Sequence, residues 1–117
     1  MKIEQDALVL DSQANTIIFN EKIDKQEGNL NYIKINFNQD IITVLLKQLY
    51  LNNIQSVIVE GGALTLQHFI DANLWDEARI LRGVPNFKIG IEAPRLQATI
   101  NEQFTFGKDT VTIFSND

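Results

Sequence analysis

The sequence contains no cysteine, one histidine (His68) and two prolines (Pro85 and Pro94). The absence of cysteine excludes disulfides, thiolate metal sites and cysteine nucleophiles. A single histidine also argues against the usual zinc site of histidine and cysteine ligands. No apolar run approaches the roughly 20 residues of a membrane-spanning helix. No basic-then-apolar signal opens the chain, so we expect a cytoplasmic protein.

Basic residues are outnumbered by acidic ones, and the 117 residues carry a net charge of −5. An acidic surface repels phosphate backbones, so nucleic acid is not expected as a general partner. A local phosphate site built from backbone N–H groups is still compatible with this charge. Hydrophobic residues make up 44% of the chain, which indicates one globular domain.

Hydrophobic spacing predicts an α/β fold. Strands are predicted at residues 7–10, 16–19, 32–37, 57–59 and 78–81. A helix is predicted to follow an N-cap at Asp40, and a second helix spans residues 64–72. Residues 97–106 and 110–114 read as a C-terminal antiparallel hairpin. Two consecutive strand–helix–strand units imply a mostly parallel sheet with flanking helices.

Ligands of such sheets bind beyond the carboxyl ends of the strands. Three places in the sequence meet this condition: Asp11 with Ser12, Glu60 with the two glycines that follow it, and whatever follows Leu81. These are the positions at which we look for chemistry.

The run Glu60-Gly61-Gly62 joins a predicted strand to a helix. Paired glycines allow a sharp turn and a close ligand approach. The free N–H groups of the helix start favour an anion, and Thr65 adds a hydroxyl donor. The run is neither a P-loop nor a G-x-G-x-x-G motif, and a tight turn without any ligand is the alternative.

Glu60 precedes these glycines at the end of the predicted strand. An anion bound at the helix start would repel its carboxylate. Glu60 is therefore expected to face a hydroxyl or amide of a second ligand, and an exposed strand-end glutamate is the alternative.

The motif Val57-Ile58-Val59-Glu60-Gly61-Gly62, a short helix and then Leu74-Trp75-Asp76-Glu77 together resemble one known family. That family is the C-terminal reductase domain of the bifunctional riboflavin-biosynthesis deaminase/reductase. The run Leu8-Val9-Leu10-Asp11-Ser12 is similar to the family's strand ending in Asp-Ser, and the two motifs occur in the family's order. The resemblance covers essentially the whole chain.

The resemblance implies a dihydrofolate-reductase-like fold and an NADPH-dependent reductase. The substrate implied is 5-amino-6-(5-phosphoribosylamino)uracil, which is reduced to the ribityl form. It implies that Glu60 contacts this substrate, and that eight residues contact NADPH: Ser12, Gly62, Ala63, Leu64, Thr65, Leu66, Gln67 and His68. Helical spacing also makes Leu66 a core residue, and the local sequence favours His68 as a histidine without a ligand. No catalytic proton donor and no metal ligand are identified.

The family's deaminase domain requires a zinc site of histidine and cysteine residues, which this composition excludes. The Ser-Leu-Asp-Gly-like and Asp-Asp-Pro segments of the reductase domain do not precede Leu8. Residues 1–117 are therefore expected to be the distal part of a reductase domain, and inactive in isolation. Two alternatives are a non-catalytic nucleotide-binding or oligomerisation module of the same fold, and a related reductase acting on another pyrimidine or pterin.

An incomplete domain leaves apolar surface and sheet edges uncovered, and identical chains most often pair about a two-fold axis. We therefore expect a homodimer or larger homo-oligomer. The candidate contacts are residues 7–10, which lack polar alternation, and the hairpin around Phe104, Phe106 and Phe114.

Overall fold

The computed structural model describes residues 3–117, and the chain divides into two compact units, Met1–Val57 and Ile58–Asp117. The described residues contain two α-helices and two three-stranded sheets. The predicted α/β class is therefore confirmed. Neither of these helices is long and apolar enough to cross a membrane.

The first unit holds a small mixed sheet and one helix. Its elements are a 3₁₀-helical turn at Leu8–Leu10, β1 at Thr16–Asn20, β2 at Lys25–Glu27, β3 at Leu30–Lys34 and α1 at Ile41–Leu51. Strand β3 lies at the centre, parallel to β1 and antiparallel to β2. The predicted strand at residues 16–19 is confirmed. The next one begins two residues earlier than predicted and ends at Lys34.

Strand β2 lies in the polar stretch between the predicted strands at residues 16–19 and 32–37, where no element was predicted. It pairs with β3 through a two-residue turn of Gly28 and Asn29, where the φ of Gly28 is 58°. Lys25 and Glu27 form an ion pair of 2.8 Å between Nζ and Oε2. The hydrogen bond from Lys25 lowers the pKa of Glu27 and, reciprocally, raises that of Lys25. The side chains of β2 are all exposed, so hydrophobic spacing did not predict this strand.

Helix α1 follows Asp40, as predicted, and ends before Asn53, whose φ is 61°. The Asp40 carboxylate does not bind a backbone N–H of the first turn, but accepts a 2.8 Å hydrogen bond from the Thr43 hydroxyl. Ile42 on this helix and Ile35 after β3 are buried. They mark the apolar interior of the first unit.

The second unit combines one helix with an antiparallel sheet. Its elements are α2 at Ala63–Asp71, β4 at Glu77–Arg82, β5 at Thr99–Phe106 and β6 at Asp109–Ser115. Strand β6 lies between β4 and β5, and the β5–β6 pairing is irregular between Ile100 and Glu102. The predicted helix, the strand after it and the C-terminal hairpin are confirmed. Phe69 of α2 is buried.

Three sequence predictions are wrong. The mostly parallel sheet is replaced by two separate sheets in which only the β1–β3 pairing of the described residues is parallel. Residues 57–59 form no strand, and Ile58 is 86% exposed. Residues 7–10 also pair with no strand, because N–H groups here bond to carbonyls three residues back. Continuous apolar runs this short carry no periodicity that separates strand from turn.

Leu8 and Phe106, which belong to the two expected oligomer contacts, are both exposed. Their exposure leaves apolar surface at each of those segments. Self-association through either segment remains a prediction.

Candidate functional site

The turn before α2 is built by two glycines with different backbone conformations. Gly61 has a φ of 145°, which side chains of L residues rarely adopt, so this position requires glycine. Gly62 is the N-cap of α2, with ordinary extended angles of φ −68° and ψ 155°. A Cβ atom built on Gly62 meets no atom within 4 Å. Open space therefore lies directly beside the start of the helix.

The first turn of α2 presents unused hydrogen-bond donors to this space. Leu66 donates the first helical bond, to the carbonyl of Gly62 at 3.3 Å. Among the residues that the structure describes, none accepts a hydrogen bond from the N–H of Ala63, Leu64 or Thr65. Such N–H groups carry the positive end of the helix dipole. They can bind a phosphate or another anion.

Helix α2 divides the seven predicted NADPH residues into two groups. Gly62 and the side chains of Leu64, Thr65 and His68 are exposed. Those of Ala63, Leu66 and Gln67 are half-buried, beside the buried Phe69. At 100° per residue the exposed side chains share one face, where a ligand can reach them. Only the backbone of the half-buried group is suited to a ligand.

Glu60 is exposed at the turn, and its carboxylate has no hydrogen-bond or ionic partner among the described residues. Nothing on its own unit therefore neutralises the charge. The carboxylate is available to accept a hydrogen bond from a ligand hydroxyl or amide.

The side chain of Gln67 is already engaged within the protein. Its Oε1 accepts a 2.8 Å hydrogen bond from the N–H of Arg95, and its Nε2 donates to the carbonyl of Arg95 at 3.3 Å. The Nε2 also donates to Asp71 at 2.8 Å. Gln67 thus fastens the segment before β5 to α2. This contact spans 28 residues, so local sequence spacing gave no signal of it.

Ser12 lies in the first unit, at the exposed tip of a turn that is held from both sides. The Asp11 Oδ1 accepts a 3.0 Å hydrogen bond from the N–H of Gln13. The Asn29 side-chain amide donates to the carbonyl of Asp11 at 2.7 Å and also to the carbonyl of Ala14. The sequence analysis did not predict this role of Asn29, because the residue lies in a polar stretch where no element was predicted. Its place beside Gly28 is nevertheless typical of a turn.

The structure therefore brings together Glu60 and residues 62–68 on one turn and helix of the second unit, while Ser12 belongs to the first unit. Within residues 3–117 there is no group of three histidine, aspartate or glutamate side chains that could hold a metal ion. The chemistry available at α2 is that of backbone N–H donors, one hydroxyl, one imidazole and one carboxylate.

Comparison with known proteins identifies the family. The sequence profile of the RibD C-terminal domain matches residues 1–85. This match covers more than two-thirds of the chain, so the protein belongs to that family, the C-terminal reductase domain of the riboflavin-biosynthesis deaminase/reductase. The resemblance inferred from sequence is confirmed over these residues, and β5 and β6 lie outside the match. No curated protein is significantly similar to the chain.

Proposed function

Because the chain belongs to a family of riboflavin-biosynthesis reductases, we propose that it forms part of an NADPH-dependent reductase. The proposed substrate is 5-amino-6-(5-phosphoribosylamino)uracil, a small molecule whose ribose is opened and reduced to the ribityl chain. The observation that carries the proposal is the open start of α2, with its free N–H groups beside Gly62.

This donor set fits a nicotinamide dinucleotide. Its phosphates are anions, and the N–H groups of Ala63, Leu64 and Thr65 would bind them without a side chain intervening. The exposed Thr65 hydroxyl and His68 imidazole add donors on the same helix face. When bound, the cofactor supplies the hydride. Ser12 is proposed as a further contact from the first unit.

Glu60 is proposed to bind the substrate rather than the cofactor. Its free carboxylate beside an anion site raises the energy of any phosphate placed close to it. Facing away from the phosphates, it can accept hydrogen bonds from substrate hydroxyl or amino groups and so orient the ribose. In this proposal both ligands bind at one turn, with the cofactor phosphates at the start of α2 and the substrate at Glu60.

The proposed cofactor site is tested by Gly62→Val. The substitution places branched carbons in the open space, and we expect NADPH binding by the intact reductase to be abolished. The fold should survive because a Cβ meets no neighbour there. Fluorescence titration with NADPH is the measurement, and Gly83→Val, outside α2, is the control. Unchanged affinity in Gly62→Val would remove Gly62 from the site.

The proposed substrate contact is tested by Glu60→Gln, which keeps the shape and removes the charge. We expect a raised KM for the pyrimidine or a lower kcat, with little change in NADPH affinity. Glu4→Gln, an exposed glutamate of the first unit, is the matched control. A loss of NADPH affinity with intact substrate kinetics would reverse the assignment of the two ligands.

In this proposal Glu60 and residues 62–68 supply the substrate and cofactor contacts of the reductase. We also propose that it works as a homo-oligomer in the cytoplasm. NADPH binding by the chain without any turnover, even in the intact protein, would favour the binding-module alternative.

A further inference from the structure

The segment of residues 87–93, between β4 and β5, exposes large apolar side chains at every second position. These side chains are 91%, 94% and 92% exposed: Phe87, Ile89 and Ile91. Lys88 and Gly90 stand between them, and Glu92 follows. An extended chain with this alternation carries its apolar side chains on one face and its charges on the other.

The backbone of this segment is also free. In the part of the chain that the structure describes, no N–H or C=O group of residues 87–93 has a hydrogen-bond partner. The segment bends at residues 88–90 in the single chain, so it must straighten to pair with a strand. Unpaired backbone beside exposed apolar side chains is a template for strand addition.

The charges select one way for two copies to pair. Antiparallel pairing about a two-fold axis at Gly90 places Lys88 of each copy opposite the partner's Glu92, and so forms two ion pairs. A shift by two residues loses these pairs, and a shift by one mixes the apolar and charged faces. Parallel pairing in register sets like charges opposite one another, which is repulsive.

Other features of the segment agree with this register. Pro85 and Pro94 flank it, and because proline has no N–H to donate, they bound the ladder at both ends. Gly90 has no side chain at the axis, so the two backbones can approach closely. Among the residues that the structure describes, Glu92 forms an ion pair only with Arg95, at 3.6 Å between two side chains that are 86–87% exposed, and such a surface pair is too weak to compete.

We propose that residues 87–93 pair with the same segment of a second copy, antiparallel and centred on Gly90, and that this pairing forms a homodimer. The interface is distinct from the two contacts expected from the sequence. It does not depend on the proposed reductase activity, so either can fail without the other.

Charge reversal tests the register. Sedimentation velocity over a concentration series should show a dimer, and Lys88→Glu or Glu92→Lys should each raise the dissociation constant about tenfold or more, since two attractive pairs become repulsive. The double variant restores the pairs and should restore the dimer. Lys108→Glu, in the exposed β5–β6 turn, is the control. A wild-type monomer, or a dimer that the reversals leave unchanged, overturns the proposal.

Cross-linking tests the axis directly, because the chain contains no cysteine and an introduced one is therefore the only thiol. Opposed residues in antiparallel strands have Cα atoms about 4.5–5.5 Å apart, which lies within the range of a disulfide. A Cβ at Gly90 meets no neighbour, so the fold tolerates Gly90→Cys. Mild oxidation should yield a covalent dimer of Gly90→Cys and not of Lys108→Cys. The opposite result places the contact at the hairpin and contradicts the proposal.

Discussion

The two turns that the sequence analysis singled out are held by different means. The turn at Ser12 is fixed by side chains, through the carboxylate of Asp11 and the amide of Asn29. The turn at Gly61 has no side-chain hydrogen bond among the described residues and depends on a backbone angle that glycine alone adopts readily. The turn at Ser12 is therefore destabilised by loss of the side chains that bond to it. The turn at Gly61 is destabilised by any residue that cannot adopt the backbone angle of that glycine.

The largest effect on stability is expected at Gly61. Gly61→Ala forces a Cβ into a φ of 145° and should lower the free energy of unfolding by about 1–3 kcal/mol. Gly62→Ala, one residue later with a φ of −68°, is the control and should cost less, about 0.5–1 kcal/mol, because alanine is a poorer N-cap than glycine. Urea denaturation of both variants measures the difference. Equal costs would show that the turn does not rely on the conformation of Gly61.

A slightly smaller effect is expected for Asn29→Ala. This substitution removes both hydrogen bonds that the side-chain amide donates to the turn at Ser12. The loss should be about 1–2 kcal/mol, since each bond contributes roughly 0.5–1.5 kcal/mol. Asn15→Ala is the matched control, because Asn15 is exposed and the structure gives its side chain no hydrogen bond. Hydrogen exchange at Gln13 should also accelerate in Asn29→Ala. A loss of stability as small as in the control would mean that Asn29 does not hold the turn.

The smallest effect is expected at Asp11, which makes a single side-chain bond to the N–H of Gln13. Asp11→Ala should cost about 0.5–1 kcal/mol. Asp11→Asn keeps an oxygen acceptor in place and should cost less. Thermal unfolding of the pair measures the difference. A loss for the asparagine variant as large as that for the alanine variant would show that the charge, rather than the hydrogen bond, matters.

The candidate site was predictable in its location but only partly in its contacts. Gly61 and Gly62 could be recognised because a glycine pair before a helix indicates a sharp turn and a helix start that a ligand can approach closely. The contact of Gln67 with Arg95 could not, because tertiary packing sets it and neither side chain shows a periodic signal. The roles proposed for Ser12, Glu60 and residues 62–68 remain predictions, which NADPH titration and substrate kinetics test.

The fold was predicted best where periodicity or a turn marks an element. Helices α1 and α2 show an apolar face, and β5 and β6 flank Gly107, so each was located. Residues 57–59 have strand-like composition, but a strand also needs a partner, and composition does not supply one. The opposite error occurred at β2, where pairing with β3 makes a strand of three exposed polar residues.

The placement of Asn29 has a consequence for the order in which the first unit acquires structure. The β2–β3 hairpin closes over two residues, and hairpins form within about 1–10 μs. The contact of Asn29 with Asp11 closes a separation of 18 residues, which costs more chain entropy. We therefore expect the hairpin to close first and the turn carrying Ser12 to be completed later in folding. We also expect opening of the hairpin to withdraw both amide hydrogen bonds from that turn and to leave it only the bond between Asp11 and Gln13.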